Sequence, residues 1–397
     1  MTRMRLTRRS ALLGLASAVT LGRASLALAA APTDRRLVVV ILRGALDGLA
    51  AVVPYGDPQL AAWRAPLLPP EPGQPNGLLD LGGLFGLHPA LAGLHDMYAQ
   101  GDVLPVHAVA SSDRSRSHFK AQDSLELGTT QPISSGWLNR VAGLVPSNGT
   151  SESALAVAVM PPMLLRGPTP VGSWLPPFTQ NPDPDFYAQL AIMHEHDPLT
   201  GPAIAEGLHE RGFTEAVLAG MAQPPNRMAF PALAGAAGRL LATADGPRLA
   251  ALEAEGWDTH AHQAQRLTAA LKPLDDGLAA LKAGLGDAWA KTAVLVVTEF
   301  GRTVRINGTL GTDHGTGTVA FVLGGAVAGG RVAGDWPGLA QSRLFENRDL
   351  QPTADVRSVA KGLLAQHLGL DAAALEKVFP GSSLAPPMAG LMRTAAL

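Results

Sequence analysis

The chain has 397 residues, of which 47% are hydrophobic and only 16% are charged, a composition typical of a folded globular protein. Because it contains no cysteine, it cannot form disulfides, thiolate zinc sites or iron–sulfur clusters, and any metal ligands must be His, Asp or Glu. A net charge of -2, an aromatic content of 5% and the lack of a basic stripe argue against nucleic-acid binding.

The N-terminal segment resembles a twin-arginine export signal. Arg8 and Arg9 directly precede an apolar run at 11–28, and small residues end the run at 27–29. This pattern predicts a leader at 1–29, handling by the twin-arginine translocase, and a periplasmic or otherwise exported location. A retained membrane anchor is the alternative, since the run is nearly long enough to span a bilayer of about 30 Å. No later segment has that length, so we expect no stable membrane insertion after cleavage.

The rest of the chain alternates buried strands with amphipathic helices. Continuous aliphatic runs, typical of strands covered on both faces of a parallel sheet, occur at 37–42, 103–110, 154–160, 293–298 and 319–324. One helix carries a leucine stripe with spacings of four and three: Leu267, Leu271, Leu274, Leu278 and Leu281. A second helix is predicted at 354–368. The alternation predicts an α/β fold with a doubly wound, mostly parallel sheet, interrupted by loop or cap insertions, the largest an irregular one at about 161–225.

Polar residues with metal-binding chemistry flank these strands. Ligands of open α/β sheets gather at the carboxyl ends of the strands, and carboxylates and imidazoles bind divalent ions. Asp47 and Glu299 follow predicted strands and Asp313 and His314 precede one. Asp258, His260 and His262 stand upstream of the leucine helix. Asp258 shares a face with His260 if the segment is extended, and with His262 if it is helical.

Several ordered motifs are similar to those of the DUF1501 family. They include Arg116-Ser117-His118, Gly256-Trp257-Asp258-Thr259-His260, Thr298-Glu299-Phe300-Gly301-Arg302 and Asp313-His314-Gly315. The resemblance extends from about residue 37 to 370. That family is in turn similar, more loosely, to the alkaline phosphatase and sulfatase superfamily. The resemblance implies one alkaline-phosphatase-like α/β domain over 37–397, with a two-metal site and a nucleophile at a helix start, but it carries no established activity.

The resemblance implies a metal shell that includes Asp47, Asp258 and His314. His260 is preferred to His262 because it lies inside the family motif. Glu299 and Asp313 complete the expected ligand set, and the ion is left open between Zn, Mn and Ca. The sequence departs from the superfamily where an Asp-His pair is usual, because Glu299-Phe300 stands there.

Ser117 is the preferred nucleophile, with Ser115 as the alternative. A serine at a helix N-terminus lies where the helix dipole favours an anion, although simple helix capping explains such a serine equally well. Arg116 and Arg302, together with Arg114, are candidates to bind a phosphate or sulfate. The residues that we expect to be catalytic are Ser117, Arg116 and Arg302.

The leading expectation is an exported, metal-dependent hydrolase that acts on a small anionic ester of phosphate or sulfate. The alternative is a noncatalytic periplasmic binding or assembly protein on the same fold, which the Glu299-Phe300 departure favours. His194 and His196 are expected to lie at a solvated helix end, outside any site.

Overall fold

A computed structural model describes residues 34–145, 153–176, 184–198, 200–219 and 226–393. The predicted leader at 1–29 lies outside these residues. Within the described ranges, no helix is both long and apolar enough to cross a membrane.

The described residues form eleven strands. In chain order they are β1 Arg36–Arg43, β2 Val52–Val53, β3 Leu79–Asp80, β4 Gly86–Leu87, β5 Val103–Ala110, β6 Ala154–Ala156, β7 Gly172–Ser173, β8 Leu249–Glu255, β9 Thr292–Thr298, β10 Thr318–Leu323 and β11 Ala354–Asp355. Eight of them form the central sheet in the order β11-β5-β10-β9-β1-β8-β6-β7, and β2, β4 and β3 form a small second sheet.

The central sheet is mostly parallel, which confirms the predicted fold class. β10 pairs antiparallel with both β5 and β9, whereas the other neighbouring strands pair in parallel. Because β10 runs in the opposite direction, its first residues lie at the same edge as the carboxyl ends of β5, β9, β1 and β8. Loops that leave four strands and the loop that enters the fifth therefore meet at one edge.

Helices cover both faces of the sheet. The described α-helices are α1 Gly48–Ala51, α2 Leu60–Arg64, α3 Ala92–Ala99, α4 His118–Leu127, α5 Trp137–Ala142, α6 Pro184–His194, α7 Gly201–Leu218, α8 Phe230–Ala242, α9 Gln263–Leu285, α10 Val356–Leu368 and α11 Ala372–Val378. Alternate residues of β1 face opposite layers, as a strand requires. Val38 and Val40 join a core with α8 and α9, while Val39 and Ile41 join one with α5, α10 and α11.

The predicted elements correspond closely to this architecture. Each of the five aliphatic runs contains a strand, although β6 is shorter than the run at 154–160. All five leucines of the predicted stripe are buried on α9. Asp355 caps α10 by accepting a hydrogen bond from the Arg357 amide, and the helix ends at Gly369 in the left-handed conformation.

Two features differ from the sequence expectation. β8 lies in the middle of the sheet, next to β1, and it has no counterpart among the predicted strands. In the range 161–225, expected to be irregular apart from a helix that ends near His194, the structure has α6, which ends at that histidine, and a second helix, α7, which was not predicted. The alanines, leucines and glutamates of these segments favour helix, which explains the difference.

Candidate metal centre

Four side chains converge at the carboxyl edge of the sheet. Asp258 Oδ1 lies 3.0 Å from His260 Nε2, 3.3 Å from His314 Nε2 and 3.6 Å from His118 Nε2. His314 Nε2 is also 3.1 Å from His118 Nε2 and 3.0 Å from His260 Nε2. Ligand atoms of His118, Asp258 and His314 all lie within 4.8 Å of one another, a grouping suited to one metal ion. His260 joins this trio at the side of Asp258 and His314.

The ring of His118 is oriented by a buried carboxylate. His118 is the first residue of α4, and its Nδ1 lies 2.8 Å from Glu299 Oε1. Glu299 follows β9 directly and is fully buried. Burial opposes its ionisation, but hydrogen bonds from Gln122, its own backbone, His118 and Thr298 outweigh that effect and lower its pKa. An ionised carboxylate only accepts hydrogen bonds, so His118 Nδ1 donates, and in the neutral ring Nε2 presents a lone pair.

The ring of His314 is oriented by a backbone carbonyl. His314 Nδ1 lies 3.0 Å from the carbonyl oxygen of Arg116, which can only accept. Nε2 of neutral His314 therefore also presents a lone pair. Burial is the main cause that lowers the pKa of His314, and the nearby His118 and Arg302 act in the same direction. The neutral ring, which is the form that binds a metal, is thus favoured.

The ring of His260 has the same arrangement with a third acceptor. Its Nδ1 lies 3.5 Å from Asp313 Oδ1, and its Nε2 faces Nη1 of Arg302 at 3.5 Å. Asp313 also accepts a hydrogen bond from Asn307 Nδ2 at 3.1 Å. In all three rings, Nδ1 faces an oxygen acceptor while Nε2 points into the cluster.

Asp258 is held by Arg302. Arg302 Nη2 lies 2.6 Å from Asp258 Oδ1. Burial disfavours the charged form of Asp258, but the hydrogen bond and positive charge of Arg302 outweigh this and lower its pKa. The same guanidinium donates to backbone carbonyls, including those of Gly44 at 2.6 Å and Ala45 at 2.8 Å. Arg302 therefore ties the loop after β1 to Asp258.

The donor set fits a transition-metal ion. Two imidazole lone pairs and a carboxylate oxygen repel one another at these separations, and a cation among them would offset that repulsion, as Arg302 already does at Asp258 Oδ1. Tetrahedral ligands at about 2.0–2.1 Å from zinc are roughly 3.3 Å apart. The three separations within the trio, 3.1, 3.3 and 3.6 Å, match that value. Carboxylate and carbonyl groups that hold Nδ1 of metal-binding histidines are the usual outer partners of such sites.

Asp47 lies apart from this cluster in its contacts. It is buried, and its Oδ2 accepts hydrogen bonds from Arg64 Nη1 at 2.7 Å and Gln263 Nε2 at 2.5 Å. Its Oδ1 accepts the Leu49 amide at 3.1 Å, which caps α1. Asp47 is thus paired with Arg64 and is not among the grouped ligand atoms, and the ligand role expected from the resemblance stays a prediction.

Glu299 and Asp313 also differ in place from the expected ligand set. Both lie behind a histidine ring, at Nδ1 of His118 and of His260. Glu299 further accepts the Gly44 amide at 2.8 Å and the Gln122 side chain at 3.0 Å, which saturates Oε1. These two acids contact the Nδ1 atoms of two rings, while Asp258 is the carboxylate that lies among the Nε2 atoms.

The predicted catalytic residues lie beside the cluster. Ser117 is the N-cap residue of α4, directly before His118, and its hydroxyl makes no capping hydrogen bond. The Arg116 guanidinium is engaged by Glu346 at 2.5 Å and Asp349 at 2.8 Å, so a substrate anion would compete with two carboxylates there. Ser115 donates its hydroxyl to Asp113 at 2.6 Å.

The remaining histidines of interest are outside the cluster. His262 is exposed at the start of α9, in the left-handed conformation. His194 Nδ1 lies 2.7 Å from Thr200 Oγ1 at the end of α6. His118 is the ligand candidate that the sequence reasoning missed, although it stands next to Ser117 at a predicted strand exit. Its position next to Ser117, downstream of the predicted strand at 103–110, was the signal that could have identified it as a candidate ligand.

The molecule is thus an α/β protein with a cluster of histidine and aspartate side chains at the carboxyl edge of its sheet. The chain belongs to the DUF1501 family, described as a protein of unknown function, whose family model matches residues 104–379. A comparison with curated proteins gives no match.

Solved structures with partial similarity include phosphatase and sulfatase proteins. Ps i-CgsB shares 9% identity, with 87% of this chain and 74% of that chain covered at a TM-score of 0.40. Alkaline phosphatase from the Antarctic bacterium TAB5 shares 13% identity over 75% and 92% of the two chains, at 0.33. A 2-O GAG sulfatase shares 12% over 89% and 73%, at 0.32. At these TM-scores no activity is transferred to this chain from these proteins.

Proposed function

We propose that His118, Asp258, His260 and His314 bind a divalent transition-metal ion and that the protein is a metal-dependent hydrolase of phosphate or sulfate esters. The observation that carries the metal proposal is the shared orientation of the rings, with each Nδ1 at an oxygen acceptor and each Nε2 in the cluster. The ester class rests on the sequence resemblance to the alkaline phosphatase and sulfatase superfamily.

Zinc is the ion that this donor set favours. Imidazole nitrogen suits Zn²⁺ and other transition metals, whereas Ca²⁺ takes six to eight oxygen ligands. Of the ions left open by the sequence, calcium thus fits least. When bound, such an ion acts as a Lewis acid and makes water or a coordinated hydroxyl a stronger nucleophile at neutral pH.

We assign the nucleophile to Ser117. Its hydroxyl does not cap α4, and it is one residue from His118. The free amides and dipole at the start of this ten-residue helix favour an anionic group. Arg302 positions Asp258, and Glu299 and Asp313 hold the tautomers of His118 and His260.

A noncatalytic binding or assembly protein is the second candidate. The observation in its favour is that the residues expected to bind a second ion or the substrate anion have other partners: Asp47 pairs with Arg64, and Arg116 pairs with Glu346 and Asp349. Such a protein would bind the ion for structural reasons.

The experiment combines metal analysis with ester hydrolysis. The mature chain, purified without chelator, is analysed for bound metal, loaded with Zn²⁺ or Mn²⁺, and assayed with p-nitrophenyl phosphate and p-nitrophenyl sulfate. We expect one or more equivalents of metal, hydrolysis of at least one ester, and loss of hydrolysis but not of metal in Ser117→Ala. Metal without hydrolysis of either ester would favour the noncatalytic candidate. If the wild type, like Asp258→Asn, bound no metal, the proposed metal centre would be refuted.

We also propose export by the twin-arginine translocase with cleavage of the leader. Replacement of both Arg8 and Arg9 by Lys should leave an uncut precursor inside the cell. Normal maturation of this double variant would contradict the export proposal without bearing on the metal centre.

A further inference from the structure

The carbonyl that orients His314 belongs to a residue in an unfavourable backbone conformation. Arg116 has φ of 57°, in the left-handed region that a residue with a side chain rarely adopts. This conformation is unfavourable for a residue with a Cβ atom, so other contacts must hold it. The Arg116 carbonyl oxygen lies 3.0 Å from His314 Nδ1.

Asp349 contacts both chain segments that make that hydrogen bond. Arg116 Nε lies 2.9 Å from Asp349 Oδ2, and its Nη2 lies 2.8 Å from the same oxygen. Thr316, two residues after His314, donates its hydroxyl to Asp349 Oδ2 at 2.8 Å. The Asp349 side chain is fully buried. One oxygen atom therefore connects the segment that supplies the carbonyl to the segment that supplies the ring.

Glu346 gives an internal comparison. It contacts the same Arg116 guanidinium at 2.5 Å, but its side chain is 58% exposed. An exposed ion pair contributes little, because water screens the charges and the side chains lose freedom. A buried carboxylate that receives charged hydrogen bonds restricts its partner much more strongly.

We propose that Asp349 is a positioning residue of the metal centre: through Arg116 and Thr316 it fixes the carbonyl that holds His314 as the Nδ1-protonated tautomer, with Nε2 directed at the cluster. The proposal deepens the proposed function, because its consequence for affinity rests on the metal centre. The consequence for the His314 tautomer does not.

The test compares Asp349→Asn with Glu346→Gln in the mature protein. Zinc affinity is measured by competition with a chromogenic chelator. We expect Asp349→Asn to weaken zinc binding about 10- to 100-fold, the usual effect of an outer partner of a ligand, and Glu346→Gln to change it less than about twofold. Arg116→Ala, which leaves Asp349 with the Thr316 hydroxyl and with Arg348 Nη1 at 3.2 Å, should reproduce the loss if Asp349→Asn folds poorly.

A double-mutant cycle separates positioning from general destabilisation. In the His314→Ala background, Asp349→Asn should cause no further loss of zinc affinity, because the residue acts through that ring. Equal losses in both backgrounds would overturn the proposal.

A second readout needs no metal. In zinc-free protein, ¹⁵N NMR of the histidine rings should show His314 as the Nδ1-protonated tautomer in the wild type and a mixture in Asp349→Asn. If His314 has the same tautomer in Asp349→Asn as in the wild type, the proposal is overturned whatever the zinc measurement gives. If the wild type binds no zinc but the tautomer changes, the proposed function fails while the positioning role of Asp349 stands.

Discussion

Two sets of three histidines have opposite surroundings in this protein. The first set, at the edge of the sheet, consists of His118, His260 and His314. The second set, in the core, consists of His88, His107 and His367. In the first set each Nε2 points toward other ligand atoms. In the second set ring nitrogens contact the backbone: His107 Nε2 lies 2.9 Å from the Val52 carbonyl oxygen, and His367 Nε2 lies 2.9 Å from that of Arg36.

The core histidines are neutral for a different reason. Burial lowers the pKa of each to about 4. His107 is also enclosed by rings, with the centroids of Phe85 and Trp336 at 5.2 and 4.9 Å. Its Nδ1 accepts the amide of Ala108 at 2.9 Å. Both nitrogens of this ring have partners, so it has no lone pair left for an ion.

The comparison shows what distinguishes a ligand from a structural histidine. Burial alone does not, because His107 is more buried than any ring of the cluster. The deciding feature is the atom that each ring nitrogen faces. An outer acceptor at Nδ1 together with a free Nε2 beside a carboxylate indicates a ligand.

The largest expected effect is the pH dependence of the free energy of unfolding that the core histidines cause. In the unfolded chain a histidine titrates near 6.5, whereas the folded pKa of the core set is about 4. Between these values the unfolded state binds more protons, so the free energy of unfolding falls as the pH drops from about 6.5 to 4. Each core histidine contributes about 3 kcal/mol to the loss. Urea unfolding across this range, with chelator present, measures it.

His107→Phe is the matched variant for the pH effect. It keeps a ring between Phe85 and Trp336 but removes one titrating group. The slope of unfolding free energy against pH should decrease by about one proton in this window. An unchanged slope would mean that His107 is protonated in the folded protein.

The next effect concerns zinc. His314→Ala or His118→Ala should weaken zinc binding by about 100-fold, or about 2.7 kcal/mol, because each removes a member of the ligand trio. His107→Phe should leave zinc affinity unchanged although it removes a more deeply buried histidine. Isothermal titration of zinc-free protein gives both values. Equal losses in the edge and core variants would show that affinity follows stability and not the ligand set.

Much of the fold was predictable because the strands are covered on both faces. β1 and β9 consist mainly of aliphatic residues, β5 and β10 do so apart from Pro105, His107 and Phe321, and the five leucines of α9 repeat with the period of a helix. β8 was not predictable in the same way. Its sequence, LAALEAE, has residues that favour helix, and it is extended because β1 and β6 pair with it on either side.

The site was predictable to the level of strand ends but not of partners. The sequence places His314 before a predicted strand and Asp258 and His260 before the leucine helix, and the structure brings all three together where the loops meet. It does not reveal that Arg64, on α2, reaches Asp47 and neutralises it, because no local pattern links them. Nor does it show that Glu299 stands behind His118, because strand order, which sets that contact, is a property of the whole fold.

The smallest effect decides between His260 and His262, which the sequence leaves open by spacing alone. His260 Nε2 lies 3.0 Å from both Asp258 Oδ1 and His314 Nε2, but it also faces Arg302 Nη1 at 3.5 Å, and its side chain is 42% exposed. We therefore expect His260→Ala to weaken zinc binding about tenfold, less than loss of a trio member.

His262 is exposed, and its backbone amide donates to the Thr309 carbonyl at 3.0 Å, a bond that alanine keeps. His262→Ala should change zinc affinity less than about twofold, the usual size of an effect at an exposed position away from a site. The two variants remove the same type of side chain at positions two residues apart. A comparison of their zinc affinities therefore shows which of the two rings faces the metal. A larger loss for His262→Ala would mean that the bound state uses the helical spacing from Asp258 and not the extended one.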